Sequence, residues 1–140
     1  KTLNQLFTRK LVKIREFPIS KEIWISPCDS YITELGVIKE EMAMQIKGME
    51  YNVSEFITKH IDTENKNRLN GGTYINFYLS PKDYHHYHIP IDMRVTKAIH
   101  ISGKLYPVNI PTLNRKKDLF IENERVVLEC YTKDKKLFFM

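Results

Sequence analysis

The residues best suited to chemistry lie in Ser80-Pro81-Lys82-Asp83-Tyr84-His85-His86-Tyr87-His88-Ile89-Pro90, where three of the five histidines fall within four positions. Histidine titrates near neutral pH, so such a cluster suits proton transfer or metal ligation. An extended backbone would point His86 and His88 to one face, whereas a turn would bring His85 and His88 together. A metal needs about three ligands, and no second cluster at ligand spacing accompanies these. The plain alternative is one exposed histidine, one packed histidine and aromatic filler. Three histidines beside two tyrosines favour a functional site of open type.

A second candidate is Asp29 in Ser26-Pro27-Cys28-Asp29-Ser30. An aspartate can orient a histidine and stabilise its protonated form. Among turn formers, however, it more often bonds its own backbone, and by itself the turn role is favoured. Asp83 lies so close to the histidines that a local turn role fits it too. Cys28 and Cys130 are far apart, with no CxxC pair, so a disulfide framework is not expected and a reducing compartment is the default. Both are read as small apolar packing residues.

A loop is only as well placed as the element that carries it. The strongest strand signal, Thr73-Tyr74-Ile75-Asn76-Phe77-Tyr78-Leu79, is launched by Gly71-Gly72 and runs straight into the histidine loop. Leu3, Leu6, Phe7, Leu11 and Ile14 are spaced for an amphipathic helix over 2–15, ended before Pro18. Short strands are predicted over 23–26 and 31–38, with a bulge or turn at Gly36, and a short apolar run spans 42–46, closed by Lys47-Gly48. A helix over 52–60, capped by Asn52 or Ser54, precedes a polar surface loop over 62–72. Further strands are predicted over 93–101, 104–108, 125–131 and 136–140, with Asp134-Lys135 as a hairpin turn between the last two. The expected fold is mainly β (α+β): antiparallel sheets with a few short helices in a single domain over 1–140. Leu137-Phe138-Phe139-Met140, an apolar run with nothing after it to pair with, predicts a domain incomplete at its C-terminus.

The 140 residues are 42% hydrophobic and 28% charged, a globular rather than a disordered composition. No stretch approaches the roughly 18–20 apolar residues that cross a bilayer as a helix. The chain opens on Lys1 with neither an initiating Met nor a signal peptide, so a piece of a longer chain is expected. The net charge of +5 is spread along the chain and comes with no RNA- or DNA-binding motif. An anionic membrane surface suits it as well as nucleic acid does, and a solvated surface without partner explains it equally.

Taken together, the segments resemble the phosphatidylserine decarboxylases. Ser26-Pro27-Cys28-Asp29 matches that family's SPCDG-like turn, and Gln45-Ile46-Lys47-Gly48-Met49-Glu50-Tyr51 its QIKG-x-x-Y block. Tyr78 to Pro90 matches YLSPRDYHRYHxP, Gly103 to Asn109 matches G-x-L-x-x-VN, and Leu119 to Val126 matches LFxxNERV. Leu3 to Leu11 is similar to FNEFFTRKL. The blocks are collinear over nearly the whole chain. Departures are Ser30 for Gly, Lys82 and His86 for Arg, and Met93 where Gly usually follows Asp; a Gly at Ser30's position would permit a backbone angle that Ser disfavours.

The resemblance implies a pyruvoyl-dependent carboxy-lyase that converts phosphatidylserine to phosphatidylethanolamine in phospholipid biosynthesis. The family's precursor cuts itself at a Gly-Ser bond, and the serine becomes a pyruvoyl group on a new α chain. Carried over residue by residue, Asp29 and His88 would act with that serine as a relay. His85 would face the substrate carboxylate or return the proton after decarboxylation; the closeness of the two histidines leaves their division of labour open. His86 aligns with a variable basic position and is read as surface. The implied partners are phosphatidylserine, the α chain and an anionic membrane surface, with a homodimer admitted and no nucleic acid; the implied location is peripheral, on the cytoplasmic face of the bacterial cell membrane. No Gly-Ser pair occurs in the chain, so alone it is expected to be inactive. Two other classes stay open: a non-enzymatic β module binding acidic lipid surfaces, and a metal protein using His85, His86 and His88.

Overall fold

A computed structural model describes residues 2–18, 20, 22–39, 43–46 and 49–140, with 43–46 and Ile110 described by backbone alone. In chain order the described elements are α1 (Leu3–Phe7), β1 (Tyr31–Val37), β2 (Ala43–Ile46), β3 (Met49–Asn52), α2 (Val53–Phe56), α3 (Thr63–Asn67), β4 (Thr73–Tyr78), β5 (Met93–Ile101), α4 (Ile110–Leu113), α5 (Leu119–Glu122), β6 (Arg125–Thr132) and β7 (Leu137–Phe139). The strands form antiparallel sheets β1–β4, β2–β3 and β5–β6–β7, which makes the fold mainly β with short helices, as the sequence predicts. The Lys47-Gly48 closure of the 42–46 run, and Met42 itself, lie outside the described residues.

The core gathers Ile38, Tyr51, Val53, Ile57, Ile61 and Val127, with Ile99, Ile101, Phe120 and Phe139 packed around them. Each such large side chain contributes about 1.5–3 kcal/mol on burial. Cys130 is fully buried, and burial, with Glu129 adding, pushes its thiol pKa up, which suits a packing residue; Cys28 is half-buried. Buried Glu129 accepts from Asn65 Nδ2 at 3.1 Å and from Thr96 Oγ1 at 2.8 Å, and Lys97 Nζ lies 3.8 Å away. These bonds explain α3, which lies inside the stretch expected to be loop: its outer residues are polar, but Asn65 also accepts from Tyr131 Oη and so docks it on β6. Asp62 and Lys66, at its two ends, are the start and stop signals that mark it in the sequence.

Several expected elements come out shorter. The helix predicted over 2–15 ends at Phe7. Thr2 and Gln5 form a capping box, but helices this short are marginal in water, and no residue of α1 is buried to hold more turns. Beyond it, Val12 and Ile14 are fully exposed rather than packed. The helix predicted over 52–60 stops after Phe56, and Thr58 turns the chain at φ 78°; Asn52 is the cap, accepting from the Glu55 amide at 3.1 Å. Residues 23–26 and 104–108 form no strand, only single backbone links such as Ile25 N–H to Pro90 O and the Lys104–Asn123 bridge. The bulge of β1 falls between Ile32 and Glu34, not at Gly36, whose bare Cα makes room for the Tyr74 ring. Leu137–Met140 finds its partner upstream: the Thr132–Lys136 turn folds it onto β6, and Met140 and Leu128 exchange backbone bonds of 3.0 and 2.7 Å.

The NERV block has a structural explanation. Asn123 pairs its side-chain amide with both backbone groups of Tyr106 at 2.9 Å, and Arg125 donates to the carbonyls of Phe56, Glu55 and Asn123. One guanidinium thereby serves carbonyls at the ends of α2 and α5. Gly103 sits where a Cβ would come within 2.4 Å of Glu122 O and 2.6 Å of Glu124 N. Gly103→Ala is therefore expected to destabilise the chain by roughly 1–3 kcal/mol, read as a lower thermal unfolding midpoint, because the obstacle is backbone that cannot step aside.

Candidate active site

Antiparallel pairing decides where the two candidate segments meet. Tyr31, the first residue of β1, faces Tyr78, the last of β4, so Asp29-Ser30 and the Ser80–Pro90 loop emerge at the same end of one sheet. The loops are then joined directly, with His88 N–H donating to Pro27 O at 2.6 Å and Ile25 N–H to Pro90 O at 2.9 Å. Asp83 takes the local turn role expected of it: Oδ2 accepts from the Ser80 amide at 2.7 Å, and this bond holds its carboxyl below the usual range.

The histidines are not equivalent. His85 Nε2 lies 2.9 Å from Ser80 O, and the ring meets Phe7 edge-on with centroids 4.6 Å apart. His86 and His88 both stack on Tyr84, at 4.8 and 6.0 Å, so residues 84, 86 and 88 share a face as an extended segment would have them. His86 Nε2 is also 3.3 Å from Thr8 O. Among the described residues no three His, Cys, Asp or Glu side chains are arranged to hold a metal.

Asp29 is engaged by Arg15 through both carboxylate oxygens, with Nη2 to Oδ2 at 2.7 Å and Nη1 bonding Oδ1. The Arg15 hydrogen bond holds the Asp29 carboxyl below its ordinary range; burial opposes this, while the charges of Arg15 and then His88 reinforce it. His88 is thus within electrostatic reach of Asp29, although no hydrogen bond joins the two side chains among the described residues. Ser30 has no positive φ, so its replacement of glycine costs nothing in backbone strain. The hydroxyls of Ser30, next to Asp29 in the chain, and of Ser80, whose carbonyl faces His85, are buried without a hydrogen-bond partner.

The segment leaving α1 belongs to this neighbourhood, and the residue-by-residue view of the sequence missed it. Arg9 Nη2 donates to Lys82 O at 2.7 Å and Asp83 O at 2.8 Å, clamping the start of the loop, while Phe7, Thr8 and Arg15 touch His85, His86 and Asp29. In the sequence these arginines look like scattered surface charge; their only signal is that Arg9 falls in the LNQLFTRKL block.

Known proteins resemble the chain over nearly its whole length. The phosphatidylserine decarboxylase family model matches residues 3–140. A phosphatidylserine decarboxylase proenzyme of Helicobacter pylori (strain J99) is 47% identical over 129 residues, covering 91% of this chain and 46% of the relative. One of Campylobacter jejuni is 46% identical over 134 residues, covering 92% and 48%, and one of Nitrosospira multiformis 38% identical over 127, covering 91% and 43%. The chain spans about half the length of the curated relatives it matches. A match of this extent makes the chain a member of the phosphatidylserine decarboxylase family.

Proposed function

We propose that this chain is the β-chain part of an enzyme that decarboxylates phosphatidylserine to phosphatidylethanolamine, with Asp29, His85 and His88 as its share of the catalytic groups. The observation that carries the reading is the meeting of a carboxylate and a histidine loop from separate blocks at the Tyr31–Tyr78 end of one sheet. The relatives' name, proenzyme, supports a precursor that is processed.

The group that family would use is a pyruvoyl. Two buried, unpartnered hydroxyls beside a carboxylate and imidazoles fit a small carbonyl-bearing group, and Ser30 and Ser80 would hold it by donating to its oxygens. When bound, the pyruvoyl supplies an electron sink through which the substrate carboxylate can depart. This chain's residues do the proton work. His88, within Asp29's field, takes the hydroxyl proton of the serine to be processed, and Asp29 stabilises the imidazolium that results. In neutral His85, Nε2 facing the Ser80 carbonyl must be the N–H, which leaves Nδ1 as the position that accepts and returns a proton. The Phe7 ring edge keeps that imidazole in place.

The partner we assign is an α chain from the same precursor, with the exposed apolar side chains of β1 and β4, Leu35, Val37 and Ile75, as the surface it covers. We place the enzyme peripherally on the cytoplasmic face of a bacterial membrane. Exposed Leu3, Leu6, Val12, Ile14 and Phe17 among basic residues support attachment to an anionic surface, and no helix of the described residues is long and apolar enough to cross one. The whole proenzyme, expressed and incubated with phosphatidylserine vesicles, is expected to split into two chains and release carbon dioxide. An intact chain with no gas release sinks the proposal.

A further inference from the structure

We propose that Arg15 is a positioning residue of this site, gripping Asp29 in a two-point fork so that the carboxylate stays oriented and charged beside His88. The inference rests on the relay reading above and adds a member to it. Arg15 comes from irregular chain after α1, yet both of its terminal nitrogens reach the two oxygens of Asp29. A planar guanidinium is the side chain that matches a carboxylate in this way, which fixes the plane of the carboxylate as well as its position. Each carboxylate oxygen has two acceptor sites, so a forked arginine leaves one on each for an imidazole N–H. The same guanidinium lies 5.9 Å from the centre of the Tyr84 ring, on which His88 stacks. One cation therefore touches the carboxylate and the platform of the histidine it serves.

The charges around Asp29 make the consequence directional. Facing it are Arg15, His88 and the carboxylate of Asp83, with the Tyr84 phenol against Arg15. Arg15 is the cation that bonds Asp29. Remove it and the forked bond that holds the Asp29 carboxyl below its ordinary range is lost, so Asp29 is protonated at a higher pH than before. A carboxylate lost at higher pH withdraws its support from the relay sooner as pH falls, so the acid limb of self-cleavage moves up. Arg15 is 58% exposed, so added salt should screen part of its effect.

The test is self-cleavage of the whole proenzyme carrying Arg15→Ala or Arg15→Lys, followed against pH and salt with thermal unfolding measured alongside. Arg15→Ala should slow cleavage roughly tenfold or more, and the loss should deepen as pH falls, because Asp29 without its guanidinium gives up its charge sooner. Arg15→Lys, which keeps the charge but not the fork, should fall between, and salt should bring the wild type toward the alanine variant. A loss that is uniform across pH, a lowered unfolding midpoint that accounts for the loss, or no loss at all overturns the assignment. Asp29→Ala run in parallel separates the two levels. If that variant cuts normally, the relay itself is wrong; if it is blocked while Arg15→Ala is indistinguishable from wild type, only the role of Arg15 fails.

Discussion

Asp29→Ala in the whole proenzyme is expected to leave a single uncut chain on a denaturing gel, with cleavage slowed by up to about four orders of magnitude, the upper scale seen when the aspartate of a hydroxyl–imidazole relay is disabled. The reason lies in what the carboxylate does for His88. An imidazole that has taken a hydroxyl proton is a cation at the end of the β1–β4 sheet, and Asp29 is the carboxylate whose charge couples to it. Asp29→Asn should be nearly as damaging, because an amide keeps the shape and loses the charge. Folding should survive both changes: the Asp29 side chain is 34% exposed, and its loss releases Arg15 to water rather than stranding it. Normal cleavage by either variant would return Asp29 to the turn role that its neighbours in the sequence suggest.

His85→Ala should behave in the opposite way, cutting at near wild-type rate and then decarboxylating phosphatidylserine roughly 10²- to 10⁴-fold more slowly, the usual contribution of a positioned acid–base group. His85 bonds to Ser80 O and packs against Phe7, away from the Tyr84 stack that holds His88. That separation is the argument for two jobs. Carbon dioxide release measured on purified, fully cut protein distinguishes it from a processing defect. If His85→Ala fails to cut while His88→Ala cuts and stalls, the assignments are exchanged.

The mainly β fold was legible because its strands announce themselves locally. β4, β5 and β6 are runs of β-branched and aromatic side chains, and their observed limits fall within a residue of those expected. Short helices were less so. α3 docks through Asn65 reaching Glu129, and the end of α2 through Arg125 reaching the Phe56 carbonyl, contacts between residues far apart in the chain. The 2–15 periodicity misled for the complementary reason: spacing reports a face that could be buried, and Val12 and Ile14 stay exposed.

The sequence by itself determined the family, because collinear motifs are read without needing positions in space, and the resemblance nominated Asp29, His85 and His88 before any fold was known. Single residues were another matter. Asp29 read alone was a turn residue, and Arg15 was one basic side chain among many. Tertiary structure decided which candidates share a neighbourhood. The antiparallel register of β1 against β4 brings residue 29 to the histidine loop, and the chain after α1 brings a guanidinium onto the same carboxylate. Pairing and charge act through space at a few ångströms, and local composition carries no record of which distant residue will arrive.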